Sequence, residues 1–232
     1  MSDIGTTNLP TREHWLKKAL GRIPKGSKIL DAGAGECQYK RFCKHLDYVS
    51  QDFGKYDGTG DSKGLQRKEW DQANIDFVCD IANIPAETNW FDAVMCIEVL
   101  EHLPHPVEAL KELGRVLKSG GVLIITAPFC SLTHYAPYFF QTGYSQYFYE
   151  FWLQRLGFVI TEITWNGNFF EYMAQEIRRI PSVAKKYTDV EMSKAEEVGL
   201  HLLLKALERM SKGDRGSKEF LAFGLHIMAV KQ

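Results

Sequence analysis

Asp31, Gly33 and Gly35, inside the run Lys-Ile-Leu-Asp-Ala-Gly-Ala-Gly-Glu-Cys at residues 28 to 37, have the clearest chemical purpose in this chain. A short apolar run ends in a carboxylate and two glycines one residue apart follow, which is how a first strand feeds a nucleotide-binding loop. Glycine suits such a loop because the backbone turns sharply and comes close to a ligand, where a Cβ would clash. The dinucleotide fingerprint asks for a third glycine where Gln38 stands. The phosphate loop asks for Gly-Lys-Ser/Thr where the chain has Glu36-Cys37-Gln38. A carboxylate just before the glycines would repel a pyrophosphate and suits a cationic or amino-bearing ligand. Two further acids, Asp52 and Asp80, end the next two apolar segments. In open α/β sheets ligands bind beyond the carboxyl ends of the strands, and Asp52 stands where a carboxylate grips both hydroxyls of a ribose. One such acid reads equally as a solvated strand end; three in succession, with the glycines between the first two, read as a set.

The elements that must position these residues alternate. A short amphipathic helix over 10–21 precedes strand one at 28–31, and a helix is expected over about 36–46. Strand two runs to Asp52, strand three covers Ile75–Val78, and a long polar connection over 53–74 separates them. So long a connection suggests a role, either folding over a nucleoside or meeting an acceptor phosphate through Lys55, Lys63 and Arg67. Asn89–Ile97 form strand four, a helix over about 105–117 stops at Lys118-Ser119-Gly120-Gly121, and Val122–Thr126 are a strand buried on both faces. A helix over 144–155, a sixth strand over 158–165, a helical stretch over 182–211 and a last strand over 224–230 complete the chain. Such alternation implies a parallel sheet with right-handed crossovers.

The bulk properties set limits. The 232 residues suit one α/β domain with a helical insertion at about 182–218 before the last strand. A net charge of −1 argues against a nucleic-acid partner, and no apolar run reaches the length of a membrane span. The five cysteines suit reduced thiols in a cytoplasmic protein, and no Cys/His group has metal-ligand spacing.

The segment 28–37 resembles motif I of class I S-adenosylmethionine-dependent methyltransferases, with Cys37 in the place of the motif's last glycine. Phe91-Asp92 and the Glu98-Val99-Leu100-Glu101-His102 ending are similar to that family's fourth-strand signature. The resemblance covers nearly the whole chain. It implies a Rossmann-like, mostly parallel seven-stranded sheet with helices on both faces and the last strand antiparallel beside the fifth. It also implies S-adenosylmethionine as cofactor and S-adenosylhomocysteine as product. Asp31, Ala32, Gly33 and Gly35, Asp52 with Phe53, Asp80 and the Ile81 amide, the Cys96 carbonyl and Glu98 would then bind the cofactor.

The acceptor is expected beside the loop after strand five. Residues 128–152 are dense in Tyr and Phe, and Thr-His-x-x-Pro-Tyr resembles bacterial members of surface-saccharide and secondary-metabolite pathways. Those often carry an arginine where this chain has Thr142. His134 is the first candidate for a general base toward a hydroxyl, His102 the second, and Tyr135, Tyr138 and Tyr144 are candidates to orient the acceptor. Glu101-His102 reads more readily as a loop-ordering pair than as an acid/base pair. Without the Pro-Pro-aromatic or Pro-Cys signatures of base methylation, a small molecule is the expected acceptor, possessing an oxygen or nitrogen to methylate without a metal or a covalent intermediate. An aminopropyl transferase or a non-catalytic partner subunit are the competing readings, and the 182–211 stretch is expected to serve as a packed lid or a homodimer surface.

Overall fold

The computed structural model describes residues 2–67, 70–71 and 74–232. The chain order is α1 (Asn8–Leu20), β1 (Lys28–Ala32), β2 (Asp47–Asp52), β3 (Phe77–Val78), β4 (Phe91–Ile97), α2 (Pro106–Val116), β5 (Leu117–Pro128), α3 (Gln146–Arg155), β6 (Phe158–Asn166), α4 (Phe169–Tyr187), α5 (Lys194–Lys212) and β7 (Gly224–Lys231). The seven strands form one sheet in the order β3-β2-β1-β4-β5-β7-β6. β1 lies parallel to both β2 and β4, and β4 parallel to β5. β7 runs antiparallel to β5, with Val122 opposite Val230 and Pro128 opposite Gly224. This is the Rossmann-like methyltransferase sheet that the resemblance implied. The strand order reverses between β1 and β4, so the loops leaving these two strands open a crevice at the carboxyl edge.

Side-chain alternation fixes the faces. Ala93 and Met95 of β4 join Ile29 and Ile124 in packing against Trp15, Leu16, Ala19 and Leu20 of α1. Successive strand residues point oppositely, so Val94 and Cys96 serve the other face. Each fully buried leucine there contributes roughly 1.5–3 kcal/mol. α2 buries Ala109, Leu110, Leu113 and Val116, one helical stripe, and starts on Pro106, whose missing N–H costs nothing in a first turn.

Four expectations are corrected. Residues 36–46 form turns and a single 3₁₀ turn at Lys40–Phe42, because Cys37 is held at φ 55, a left-handed conformation that no α-helix continues. α2 ends at Val116, one turn before the Gly120-Gly121 pair, since Leu117 is already extended and pairs with Phe91. Strand three shrinks to Phe77–Val78: the Asp76 carboxylate accepts from the Ser50 amide at 2.8 Å and its hydroxyl at 2.7 Å, replacing ladder bonds. The helical stretch is two helices, and α4 begins at Phe169, thirteen residues before the expected start at 182, counting from the element order. Asn168 caps it, accepting from the Glu171 amide at 3.0 Å, while Ser193 and Glu196 form a capping box on α5.

The chain divides into two compact units. One comprises the residues up to His14 with Trp165–Phe223; the other comprises Trp15–Thr164 and Gly224–Gln232. In the first, α4 and α5 pack around Ala174, Leu204, Leu207 and Ile4, and the Gly5 amide donates to Glu171 at 2.8 Å. The second holds nearly all of the sheet and every residue expected to do chemistry. All five cysteines are free thiols, and no helix among the described residues is long and apolar enough to cross a membrane.

Candidate active site

The loop after β1 is left-handed at both glycines, with φ 76 at Gly33 and φ 53 at Gly35. The Gly33 amide donates to the Gln51 carbonyl at 2.8 Å, and the Gly35 amide to Asp52 Oδ2 at 3.0 Å. A Cβ on Gly33 would lie 2.4 Å from the Val99 side chain, and one on Gly35 would lie 2.8 Å from the Trp70 ring. Gly33 therefore lets the β1 loop nest against the turn after β4, and Gly35 lets it approach Trp70 of the 53–74 connection.

The strand-end acids differ from one another. Asp31 is almost wholly buried, and Tyr48 donates to it at 2.6 Å. Burial pushes its carboxyl up to about 7; the tyrosine bond opposes that, and the neighbouring Asp52 charge adds to it. Asp52 is buried too, its Oδ2 accepting from Gly35 and its Oδ1 from the Gly54 amide at 2.9 Å. A carboxylate oxygen has two lone pairs, so these amides orient the group while leaving capacity for a diol. Asp80 is exposed and accepts from the Ala82 amide at 2.9 Å, shaping the turn that buries Ile81. Ala32 and Cys96 are buried in β1 and β4, and burial raises the Cys96 thiol far above its ordinary range, so only its backbone is suited to a ligand. Glu98 takes φ 55 directly after β4, where its amide donates to the Thr126 carbonyl at 2.8 Å and Thr126 donates to its Oε1 at 2.8 Å. A left-handed glutamate at a strand end is a strained position of the kind that clusters at functional sites.

A second group lies beyond the turn after β4. Glu101 is fully buried, with its Oε1 3.7 Å from His102 Nε2 and 3.9 Å from His134 Nε2. His102 Nδ1 stands 2.6 Å from the Tyr138 carbonyl, and His134 Nδ1 2.9 Å from the Leu132 carbonyl. A carbonyl only accepts, so each Nδ1 carries a proton, and the neutral form of each ring keeps its lone pair on Nε2. Burial foremost, then His134 nearby, pushes His102 down to about 4, against the pull of the Tyr138 carbonyl. His102 and His134, expected as alternatives for one role, thus face the same carboxylate. Nothing in their spacing signalled this, because they stand 32 positions apart in the chain, at 102 and 134.

Aromatic rings wall this group. Tyr135, itself at φ 53, stacks on His102 at 5.3 Å and meets Tyr56 at 4.9 Å and Trp70 at 5.7 Å. Phe53 meets Tyr138 edge-on at 4.8 Å. The loop from residue 53 is zipped to the loop after β5: the Leu65 amide donates to Thr133 O, the Tyr135 amide to Leu65 O, both at 2.9 Å, and the Asp61 amide to Ala136 O at 3.0 Å. Tyr56 and Trp70 belong to the 53–74 connection that was expected to fold over a nucleoside; their contact with Tyr135 of the loop after β5 was not foreseen, and the unusual length of that connection was the signal for a role. Lys68, Glu69, Gln72 and Ala73 of that connection lie outside the described residues. Arg67 is paired with Glu36 at 2.7 Å and Lys63 lies 3.7 Å from Asp61. Tyr144 is placed differently from the expectation. It is buried and its hydroxyl donates to the Leu100 carbonyl at 2.7 Å, so it braces the turn after β4 and does not face an acceptor.

Comparison with known proteins gives the family and the fold. The methyltransferase domain family matches residues 30–125. A demethylmenaquinone methyltransferase of Renibacterium salmoninarum is 32% identical over 200 residues, 84% of this chain and 78% of that protein. A ubiquinone biosynthesis O-methyltransferase of Coxiella burnetii is 30% identical over 109 residues, 44% of each chain. The fold matches that of a crystal structure described as a putative sarcosine dimethylglycine methyltransferase from Galdieria sulphuraria, with a TM-score of 0.59 at 17% identity over 96% of this chain and 86% of that one. On the strength of the long match to the Renibacterium salmoninarum relative and of the shared fold, the chain belongs to the class I S-adenosylmethionine-dependent methyltransferases.

Proposed function

We propose that this enzyme methylates a hydroxyl oxygen on a flat, ring-bearing small molecule such as a phenol or quinol. The observation that carries the reading is the convergence of two imidazoles and a buried carboxylate inside an aromatic wall, on the sheet edge that bears the glycine loop. The names of the two relatives, one acting on demethylmenaquinone and one an O-methyltransferase of ubiquinone biosynthesis, support a ring-bearing acceptor more than the saccharide suggested by the sequence. The charge of −1 supports a small molecule over a nucleic acid.

The residues present fit the cofactor. Asp52 offers a buried, pre-oriented carboxylate for the ribose diol, and Asp80 with the Ile81 amide stands at the adjacent strand end for the adenine. Asp31, the Cys96 carbonyl and Glu98 supply acceptors for an amino group. The rise of Asp31 to about 7 marks a buried carboxylate that a cationic ligand would return to its charged form. When bound, S-adenosylmethionine supplies a sulfonium methyl that passes to the acceptor oxygen while the C–S electron pair stays with sulfur, leaving S-adenosylhomocysteine. His134 accepts the hydroxyl proton at Nε2, the atom carrying its lone pair, and the Glu101 carboxylate stabilises the imidazolium that forms. His102, neutral at pH 7, completes the contact surface, and Tyr135 and Tyr138 hold the acceptor ring by stacking. Positioning supplies most of the acceleration.

Methyl-labelled cofactor offered with phenols, quinols, sugars and sugar nucleotides tests this. The expected product is an aromatic O-methyl ether; label arriving on a ring carbon, a nitrogen or a sugar would overturn the reading.

A further inference from the structure

We propose that Glu101, His102 and His134 form a binding site for one divalent transition-metal ion of the zinc class. The candidate ligand atoms, one carboxylate oxygen and two imidazole nitrogens, all lie within 4.8 Å of one another. Ligands about 2.0–2.2 Å from a tetrahedral ion stand roughly 3.3 Å apart, so the most widely spaced pair closes by up to about 1.5 Å on binding.

Three features distinguish this group from a chance meeting of polar side chains. Each imidazole has its Nδ1 fixed by a backbone carbonyl, Tyr138 for His102 and Leu132 for His134, which is how metal-bound histidines are held in one tautomer and orientation. That arrangement aims both Nε2 atoms at one carboxylate oxygen, 3.7 and 3.9 Å away. Nitrogen and oxygen donors held this close around one point make a favourable cradle for a cation. His102 Nε2 is moreover buried with no hydrogen-bond partner among the described residues, a costly arrangement in the absence of an occupant. Tyr135, stacked on His102, and the tilted ring of Phe139, 5.0 Å from His134, pack against the two imidazoles.

The donor set selects the ion. Two imidazoles with one carboxylate suit zinc, cobalt or ferrous iron; magnesium and calcium prefer oxygen ligands. Three protein ligands leave at least one coordination position open, as in a catalytic rather than a structural site. The inference deepens the hydroxyl-acceptor reading and rests on it for its chemical purpose. A hydroxyl at the open position loses its proton to solvent near neutral pH, so its oxygen electron pair is free to form the bond to the methyl carbon as the C–S pair departs with sulfur. His134 is then a ligand, and the ion takes over the work assigned to its imidazole.

The test uses the full chain, freed of metal by chelation and dialysis and then titrated with Co²⁺ and Zn²⁺. One ion per chain is expected, with visible d–d bands from Co²⁺ and no uptake of Mg²⁺ at the same concentrations. Loss of outer-shell partners alone weakens metal sites about 10–100-fold, so Glu101→Gln and His134→Asn should each weaken binding at least that much. His105→Asn, at an exposed histidine 3.5 Å from Glu108, should leave it unchanged. Variants that bind as tightly as the unaltered protein, or an absence of Co²⁺ bands, would sink the proposal. X-ray absorption of the unaltered Zn²⁺ complex decides the matter if a variant fails to fold: two imidazole nitrogens support the site, and none or one overturns it. Failure is distinguishable from failure of the functional reading. A protein that takes up no metal but makes aromatic O-methyl ethers loses only the metal site, whereas one that binds Zn²⁺ and methylates no hydroxyl loses the acceptor assignment.

Discussion

Asp31 sits in a site that disfavours its own charge, and this makes the pH dependence of stability informative. Its carboxyl is raised from 3.8 to about 7 in the folded protein, so between those values the folded state holds a proton that the unfolded state has released. Its contribution therefore falls as pH rises from about 4 to about 7 and is flat above, a cost on the order of 4 kcal/mol at most for a fully buried group. Asp31→Asn should be the more stable protein at pH 8 and lose that advantage near pH 4, while binding the cofactor more weakly. Thermal unfolding across pH checks the first part, and an unchanged difference at all pH values would remove Asp31 as its source. Asp52→Ala should lose charge-assisted bonds worth about 1.5–3 kcal/mol, or roughly tenfold or more in S-adenosylmethionine affinity by calorimetry. Asp31, Gly33, Gly35 and Asp52 were legible because strand-end chemistry ties residue type to a short spacing. Tyr144 was not, since its partner is the carbonyl of Leu100, 44 residues away, and a phenol in an aromatic-rich segment looks the same whether it faces a ligand or a backbone.

Elements were legible where one face is buried by a regular stripe, as in α2 and β4, and illegible where tertiary bonds replace local ones. The left-handed Cys37 broke an apparent helix, and the Asp76–Ser50 bonds shortened β3. The pairing of the 53–67 segment with the loop after β5 was equally hidden, because each partner reads alone as an irregular loop. Two glycines make that pairing possible: a Cβ on Gly60 would lie 2.0 Å from the Ala136 carbonyl oxygen, and one on Gly64 would lie 2.3 Å from that of Thr133. Both also hold positive φ, 51 and 62. Gly60→Ala should separate the strands of this zipper, at a cost of about 1–2 kcal/mol for the left-handed backbone plus the clash. The midpoint of thermal unfolding should fall by several degrees, and the Michaelis constant for the acceptor should rise. A variant matching the unaltered protein in both would show that the two loops do not act together.

At the scale of the whole molecule, the strand order carries most of the function. Parallel strands whose order reverses between β1 and β4 bring a glycine loop, three acids and the Glu98–His102 turn to one edge, although they come from separated stretches of chain. Alternation of strands and helices foretold that edge; it could not foretell that α4 and α5 belong with the residues up to His14 in a unit of their own, because that grouping rests on contacts such as Gly5 with Glu171. A ligand that binds only the folded chain stabilises it by about 2.7 kcal/mol at a hundredfold excess over its Kd. S-adenosylmethionine should therefore raise the unfolding midpoint by roughly 5–10 °C, at about 2–4 °C per kcal/mol for a chain of this size, and NAD should not. The central claim is that an acceptor hydroxyl loses its proton at the Glu101–His102–His134 group. The most direct measurement is turnover of His134→Ala on the acceptor found with labelled cofactor, alongside its affinity for S-adenosylmethionine. Turnover should fall by about 10²–10⁴ with cofactor affinity close to that of the unaltered protein; a variant that keeps most of its turnover would contradict the claim.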